Sequence, residues 1–152
     1  MSQLRLCVLF ICGSALLGCG ASSAPKCMDS SVSALVLETA KGQVRDLVLY
    51  DALARRVSIE VALTHPKYDE FKARTDAPYI KEVVADVDQM VDTKVFSIES
   101  IRAQPSAKET DSVSCAADFV MQEAAGTKKF PITYTLRSAD DGKKVHVEVA
   151  GL

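Results

Sequence analysis

Apolar residues recur along this chain first at helical spacing and then at strand spacing. After Asp29-Ser30-Ser31, whose side-chain oxygens suit the exposed N–H groups of a helix start, Val32, Leu35, Val36 and Thr39 follow a 3.6-residue period. Gly42 is expected to end or bend that helix, and a second helical stretch carries Val44, Leu47, Val48 and Leu49 on towards Leu53 and Val57. His65-Pro66 interrupts, because the residue before proline is pushed out of the α region. Tyr68 to Arg74 reads as a helical turn. Pro78 suits the first turn of a further helix bearing Tyr79, Val83, Val87, Met90 and Val91.

The period then changes to two. Val113, Cys115, Ala117, Phe119 and Met121 alternate with more polar neighbours, as do Phe130, Ile132, Tyr134 and Leu136, and then Val145, Val147 and Val149. Lys94 to Arg102, with Phe96 and Ile98 on one face, predicts a fourth strand. Asp140-Asp141-Gly142 and Gly126 supply the residues that tolerate positive φ, so they predict hairpin connections. The fold expected is α+β, with N-terminal helices packed on a four-stranded antiparallel meander sheet. In element order it is similar to cystatin-like or nuclear-transport-factor-like domains.

Ahead of this pattern lies a different one. Arg5 precedes an apolar run of 12 residues, Leu6 to Leu17, broken by Gly13 and Ser14. A membrane-crossing helix needs about 20 apolar residues, so the run reads as a secretory signal. It leads into Leu16-Leu17-Gly18-Cys19, which resembles the lipobox of bacterial lipoproteins. The resemblance implies cleavage between Gly18 and Cys19, a diacylglyceryl group on the Cys19 thiol and acylation of the new amino end. It also implies outer-membrane sorting, since Gly20 and not aspartate follows the cysteine. A plain secreted protein cut nearby, at Ala24, is the alternative. Residues 1–18 are thus a signal peptide, 19–26 a lipidated flexible tether and 27–152 a single α+β domain. Gly-Ala-Ser-Ser-Ala-Pro-Lys would hold that domain within about 15 Å of the lipid. The last third of the chain, with Val113-Ser114-Cys115-Ala116-Ala117, Pro131-Ile132-Thr133-Tyr134-Thr135 and Asp140-Asp141-Gly142-Lys143, also resembles small uncharacterised proteobacterial lipoproteins. That likeness brings no activity with it.

The lipobox reading orders the five cysteines. Cys7 and Cys12 leave with the signal, Cys19 carries lipid, and Cys27 and Cys115 remain for one disulfide in an oxidising compartment. Two buried free thiols are the competing reading. A metal site is less suited, because His65 and His146 lack ligand spacing from the two cysteines. Of 152 residues, 134 remain after residue 18, enough for one core. Only Arg5 is lost from the charges, so 17 basic residues face 20 acidic ones, a net −3. Nucleic acid is an unsuitable partner for such a surface.

Candidate chemistry is sparse. Asp118, Thr133, Thr135, Arg137, Lys144, His146 and Glu148 fall on the polar face of the expected strands and form a candidate binding surface. His146 and Glu148 point the same way, so an acid/base pair is geometrically possible, although a solvated sheet face is the ordinary reading. Glu82, Asp86, Asp88 and Asp92 read as a solvated acidic helix face, with no calcium-loop glycine beside them. His65, before proline, reads as a surface or cap residue. There is no Gly-x-Ser-x-Gly elbow, His-Glu-x-x-His or phosphate-cradling glycine loop. The expectation is a lipid-anchored outer-membrane protein facing the periplasm that binds a protein partner, as an inhibitor or immunity-type module does, and is not an enzyme; no cofactor is expected. Alternatives are an envelope assembly accessory or a small-ligand binder with a pocket between helices and sheet.

Overall fold

The computed structural model describes residues 26–65, 67–74, 76–105, 112–139 and 144–152. The signal and lipobox, with Cys19 and most of the tether, lie outside them, as do Pro66 and the Asp140-Asp141-Gly142 turn. Among the described residues four helices, α1 (Ser30–Arg56), α2 (Ile59–Thr64), α3 (Tyr68–Lys72) and α4 (Tyr79–Asp92), precede four strands. The strands β1 (Val95–Ala103), β2 (Ser112–Glu123), β3 (Gly126–Ser138) and β4 (Val145–Ala150) pair in chain order, all antiparallel. This is the α+β arrangement of helices over a meander. Among the described residues no helix is long and apolar enough to cross a membrane.

Gly42 neither ends nor bends α1, which runs unbroken for 27 residues, about 40 Å at 1.5 Å per residue. The reason is tertiary. The N-terminal half buries Val32, Val36 and Ala40 against Cys115, Ala117, Phe119, Ile132, Tyr134 and Leu136 of the sheet. The C-terminal half buries Leu49, Ala52 and Leu53 against Ala62, Tyr68, Phe71 and the α4 stripe Ile80, Val83, Val87 and Val91. Burial at both ends outweighs the roughly 1 kcal/mol that an internal glycine costs. Val44 and Phe96 touch both clusters and join them.

Local signals account for the starts of α2 and α4 but not of α1. Asp29 occupies the cap position of α1, but its carboxylate turns back to accept from the Lys26 N–H at 3.1 Å and caps no N–H of the helix. Ser58 does cap α2, accepting from the Val61 N–H at 3.2 Å. Pro78 immediately precedes α4 with φ −60°. On α4 the buried stripe takes in Ile80, whereas Tyr79 is half-buried and Met90 is exposed.

Strand alternation follows the expected inward positions, with one addition. Cys115 lies opposite Tyr134, Ala117 opposite Ile132, and Leu136 opposite Val147, all facing the helices. Phe96 stacks on Phe119 with ring centroids 5.4 Å apart. β1 carries a bulge between Glu99 and Arg102, where Ser100 takes φ +53°. The β2–β3 turn closes at Gly126, with φ +134°, as its sequence predicts. Cys27 and Cys115 are disulfide-bonded, with Cα atoms 5.9 Å apart, and the bridge staples the start of α1 to β2.

Candidate docking surface

The face of the sheet turned away from α1 gathers the residues singled out by strand periodicity. Glu148 of β4 lies opposite Thr135, and His146 opposite Arg137; Thr133 is flanked by Ala116 and Ala150. Period-two geometry puts all of them on one surface. Thr133, Arg137, His146 and Glu148 are exposed and Thr135 is half-buried. Lys144, also exposed, stands just before β4, where its carbonyl accepts from the Ala139 N–H at 2.8 Å. Arg137, Ser138, Ala139, His146, Val147 and Glu148 line a shallow depression of about 440 Å³.

Asp118 sits further along the same face, half-buried between Glu99 and Pro131. Sequence reasoning missed what surrounds it. Lys129 reaches across β2 to Glu99 at 2.8 Å, and Val120, between Ser97 and Lys129 in the ladder, is buried on this outward face. A lysine stem at that register position is suited to covering apolar surface while its head group meets Glu99. Lys129 is raised above the usual lysine range by the Glu99 hydrogen bond, with Asp118 adding to it. Opposite charges on β1 and β3, the two strands that flank β2, signal such an arrangement only once the register is known.

His146 and Glu148 share the surface, as expected, but on its open part and not inside a cleft. His65 is half-buried at the end of α2, its ring 5.6 Å from Phe71 and beside the Arg74 guanidinium. Among the described residues no group of three or more His, Cys, Asp or Glu is placed to hold a metal ion.

Of the acidic residues of α4, Glu82 and Asp92 are exposed as the sequence suggests, but Asp86 and Asp88 are half-buried, and Asp86, Asp88 and Asp92 are all drawn into ion pairs. Asp88 accepts from the Tyr68 hydroxyl at 2.6 Å and from Lys72 at 3.3 Å, and Arg45 lies 4.0 Å away. Arg45 also pairs with Asp92 at 2.7 Å, and Arg56 pairs with Asp86. The periodicity of α4 could not reveal these partners, which α1 and α3 bring alongside it. The hydrogen bond from Tyr68 is the main cause that holds Asp88 below the usual carboxylate range; burial, then the same bond, raises the Tyr68 hydroxyl. Asp46 belongs to the same joint, accepting from the Tyr68 N–H at 2.8 Å and from Lys67 at 3.1 Å. This network ties α3 and α4 to α1.

A second concavity lies where α1 meets the end of β4. Leu47, Tyr50, Ala62, Val149 and Leu152 make up half of its lining, with Gln43, Asp46 and Lys67 among the rest, and its volume is about 540 Å³. Leu47 and Tyr50, three residues apart, lie off the buried stripe of α1 and are 55% and 41% exposed. The interior between helices and sheet is filled with side chains, and this depression opens to one side of it. Compared with known proteins, the chain matches no family model, no curated protein and no solved structure.

Proposed function

We propose that this chain is a lipid-anchored protein of the bacterial outer membrane, facing the periplasm, whose α+β domain docks a protein partner through the outer face of its sheet and catalyses nothing. One observation carries the docking role: the helices cover one face of the meander, and the opposite face presents Thr133, Arg137, His146 and Glu148 to solvent in register, with Thr135 half-buried among them. Cations and anions interspersed on an exposed sheet face steer and orient a protein partner. Catalysis would instead require charges aimed into a water-excluded site, where they act strongly. The Cys27–Cys115 staple and the ion pairs of α4 support a preorganised scaffold. Preorganisation lowers the entropic cost of binding, which suits an inhibitor or immunity-type module.

The lipobox at Leu16-Leu17-Gly18-Cys19 supports the anchor. Two or three buried acyl chains, at about 0.8 kcal/mol per methylene, hold such a domain on a membrane without a polybasic segment. The test is chemical cross-linking in the native envelope, followed by immunoprecipitation with an antibody to the chain and mass spectrometry. A single stoichiometric protein captured by the wild type and lost from an Arg137→Glu/Glu148→Lys variant is expected. Equal capture by both chains would overturn the assignment of the surface. The depression at Leu47 and Tyr50 favours a second reading, a small apolar ligand, for which thermal stabilisation by fatty acids is the check.

A further inference from the structure

The two edges of the sheet are built differently. β1 is blunted by its bulge, by Ser100 at φ +53° and by Arg102, whose guanidinium donates to the Ser100 carbonyl at 3.1 Å. Bulges and charged side chains of this kind discourage further strand pairing. β4 is the other outermost strand, six residues long, with no bulge in its pairing and no proline. Two hydrogen bonds define which of its backbone groups face outward. The Lys144 carbonyl points inward to the Ala139 N–H, and the Val149 carbonyl points away from β3, accepting from Gln43 Nε2 at 2.9 Å. By alternation the N–H and C=O groups of Val145 and Val147 point to the free edge, while His146 and Glu148 bond to β3.

We propose that β4 pairs antiparallel with β4 of a second copy of this chain, about a two-fold axis passing at His146. The axis position follows from charge and from hydrogen-bond supply. With His146 at the axis, Val145 exchanges both backbone hydrogen bonds with Val147 of the second copy, and the reverse, and Lys144 faces Glu148 of the second copy on either side. An axis at Val147 would need the Val149 carbonyl, which Gln43 already holds. An axis at Glu148 needs that carbonyl as well and sets two carboxylates opposite each other. An axis at Val145 sets Lys144 against His146, with no opposite charge to meet it. Only the His146 register satisfies both conditions, because Lys144 and Glu148 are equidistant from it and opposite in sign. Cross-strand pairs of opposite charge stabilise, and like charges directly opposite destabilise. Val145 and Val147, half-buried on the inner face, would continue the apolar layer across the axis. A two-fold contact of this kind closes on itself and yields a dimer and not a fibre.

The experiment is disulfide trapping in the full chain, expressed in cells. Residues directly opposite at a non-hydrogen-bonded position have Cα atoms about 4.5 Å apart, within disulfide reach. The His146→Cys variant is therefore expected to give a dimer on non-reducing gels, with the 146-to-146 linked peptide identified by mass spectrometry. Thr127→Cys, at the far end of β3 on the same face, is expected to give no 127-to-127 link. Adding Lys144→Glu to His146→Cys should lower the dimer fraction roughly tenfold, and adding Glu148→Lys as well should restore it, since opposite charges again face each other. All three positions are exposed, so the variants fold. Absence of the 146-to-146 link, or a double swap that fails to restore it, would overturn the proposal.

Discussion

The hydroxyl of Tyr134 donates to the carbonyl oxygen of Cys27 at 2.9 Å, while Tyr134 also lies directly opposite Cys115 in the β2–β3 ladder. The disulfide and this buried hydrogen bond therefore hold one joint, between the start of α1 and the centre of the sheet. Tyr134→Phe leaves the Cys27 carbonyl without that donor and is expected to cost about 1–2 kcal/mol. Cys115→Ser opens a cross-link between residues 88 apart and is expected to cost about 4–5 kcal/mol, on chain-entropy grounds. Urea denaturation of the oxidised proteins measures both. Because the two act on one joint, Tyr134→Phe should cost less in the Cys115→Ser background; strict additivity would refute the coupling.

The Tyr68–Asp88–Lys72 cluster makes stability depend on acid. Asp88 has a folded pKa below its unfolded value, so its contribution is fully present above about pH 4 and is lost as pH falls through the folded value. Asp76, held at about 2 by Arg74, extends the same loss to lower pH. Asp88→Asn is expected to lower stability by about 1–2 kcal/mol at pH 7, a value discounted for partial exposure. The gap from wild type should close as pH drops below about 4. Urea midpoints across that range check it, and a gap that widens in acid would contradict the linkage.

Two glycines should respond in opposite directions. A Cβ on Gly42 would meet no atom within 4 Å, so Gly42→Ala in the middle of α1 is expected to stabilise by about 0.5–1 kcal/mol. Gly151 has φ +109°, and a Cβ there would lie 2.7 Å from the Pro131 carbonyl oxygen. Gly151→Ala is expected to destabilise by about 1–2 kcal/mol. Melting temperatures moving the same way in both variants would be inconsistent with these backbone environments.

Substitutions on the outer face should separate binding from folding. Arg137→Glu and Glu148→Lys are expected to change stability by less than about 0.5 kcal/mol, since both side chains are exposed. Circular dichroism melts establish that; a large loss of stability would show that the face is structural.

Cys19→Ala tests the anchor directly. Incorporation of labelled fatty acid and partitioning into the detergent phase are both expected to disappear. Label still entering that variant would remove the lipobox assignment.

The sheet was nearly fully legible in the chain. Cys115, Phe119, Ile132, Tyr134 and Leu136 alternate with polar residues, and the period of two places each on the helix-facing side without reference to any partner. The same alternation located Thr133, Thr135, Arg137, His146 and Glu148 on the opposite face. Helix boundaries at Pro78 and before Pro66 were legible too, because proline sterics act within a few residues; the break at Ser58 that separates α2 from α1 was not read. The bulge in β1 was not, since a two-to-one pairing exists only between strands.

What the sequence determined by itself was what local periodicity and local sterics set: helices ahead of four strands, the inward and outward faces of those strands and the turn at Gly126. What only the tertiary structure decided was which surfaces meet. Gly42 stays helical because α1 is buried against the sheet at one end and against α4 at the other. Asp86, Asp88 and Asp92 are ion-paired, because α1 and α3 bring Arg45, Arg56, Tyr68 and Lys72 to them. Propensity and charge pattern are properties of neighbours along the chain, whereas burial and ion pairing belong to residues far apart in sequence whose meeting depends on how the elements pack.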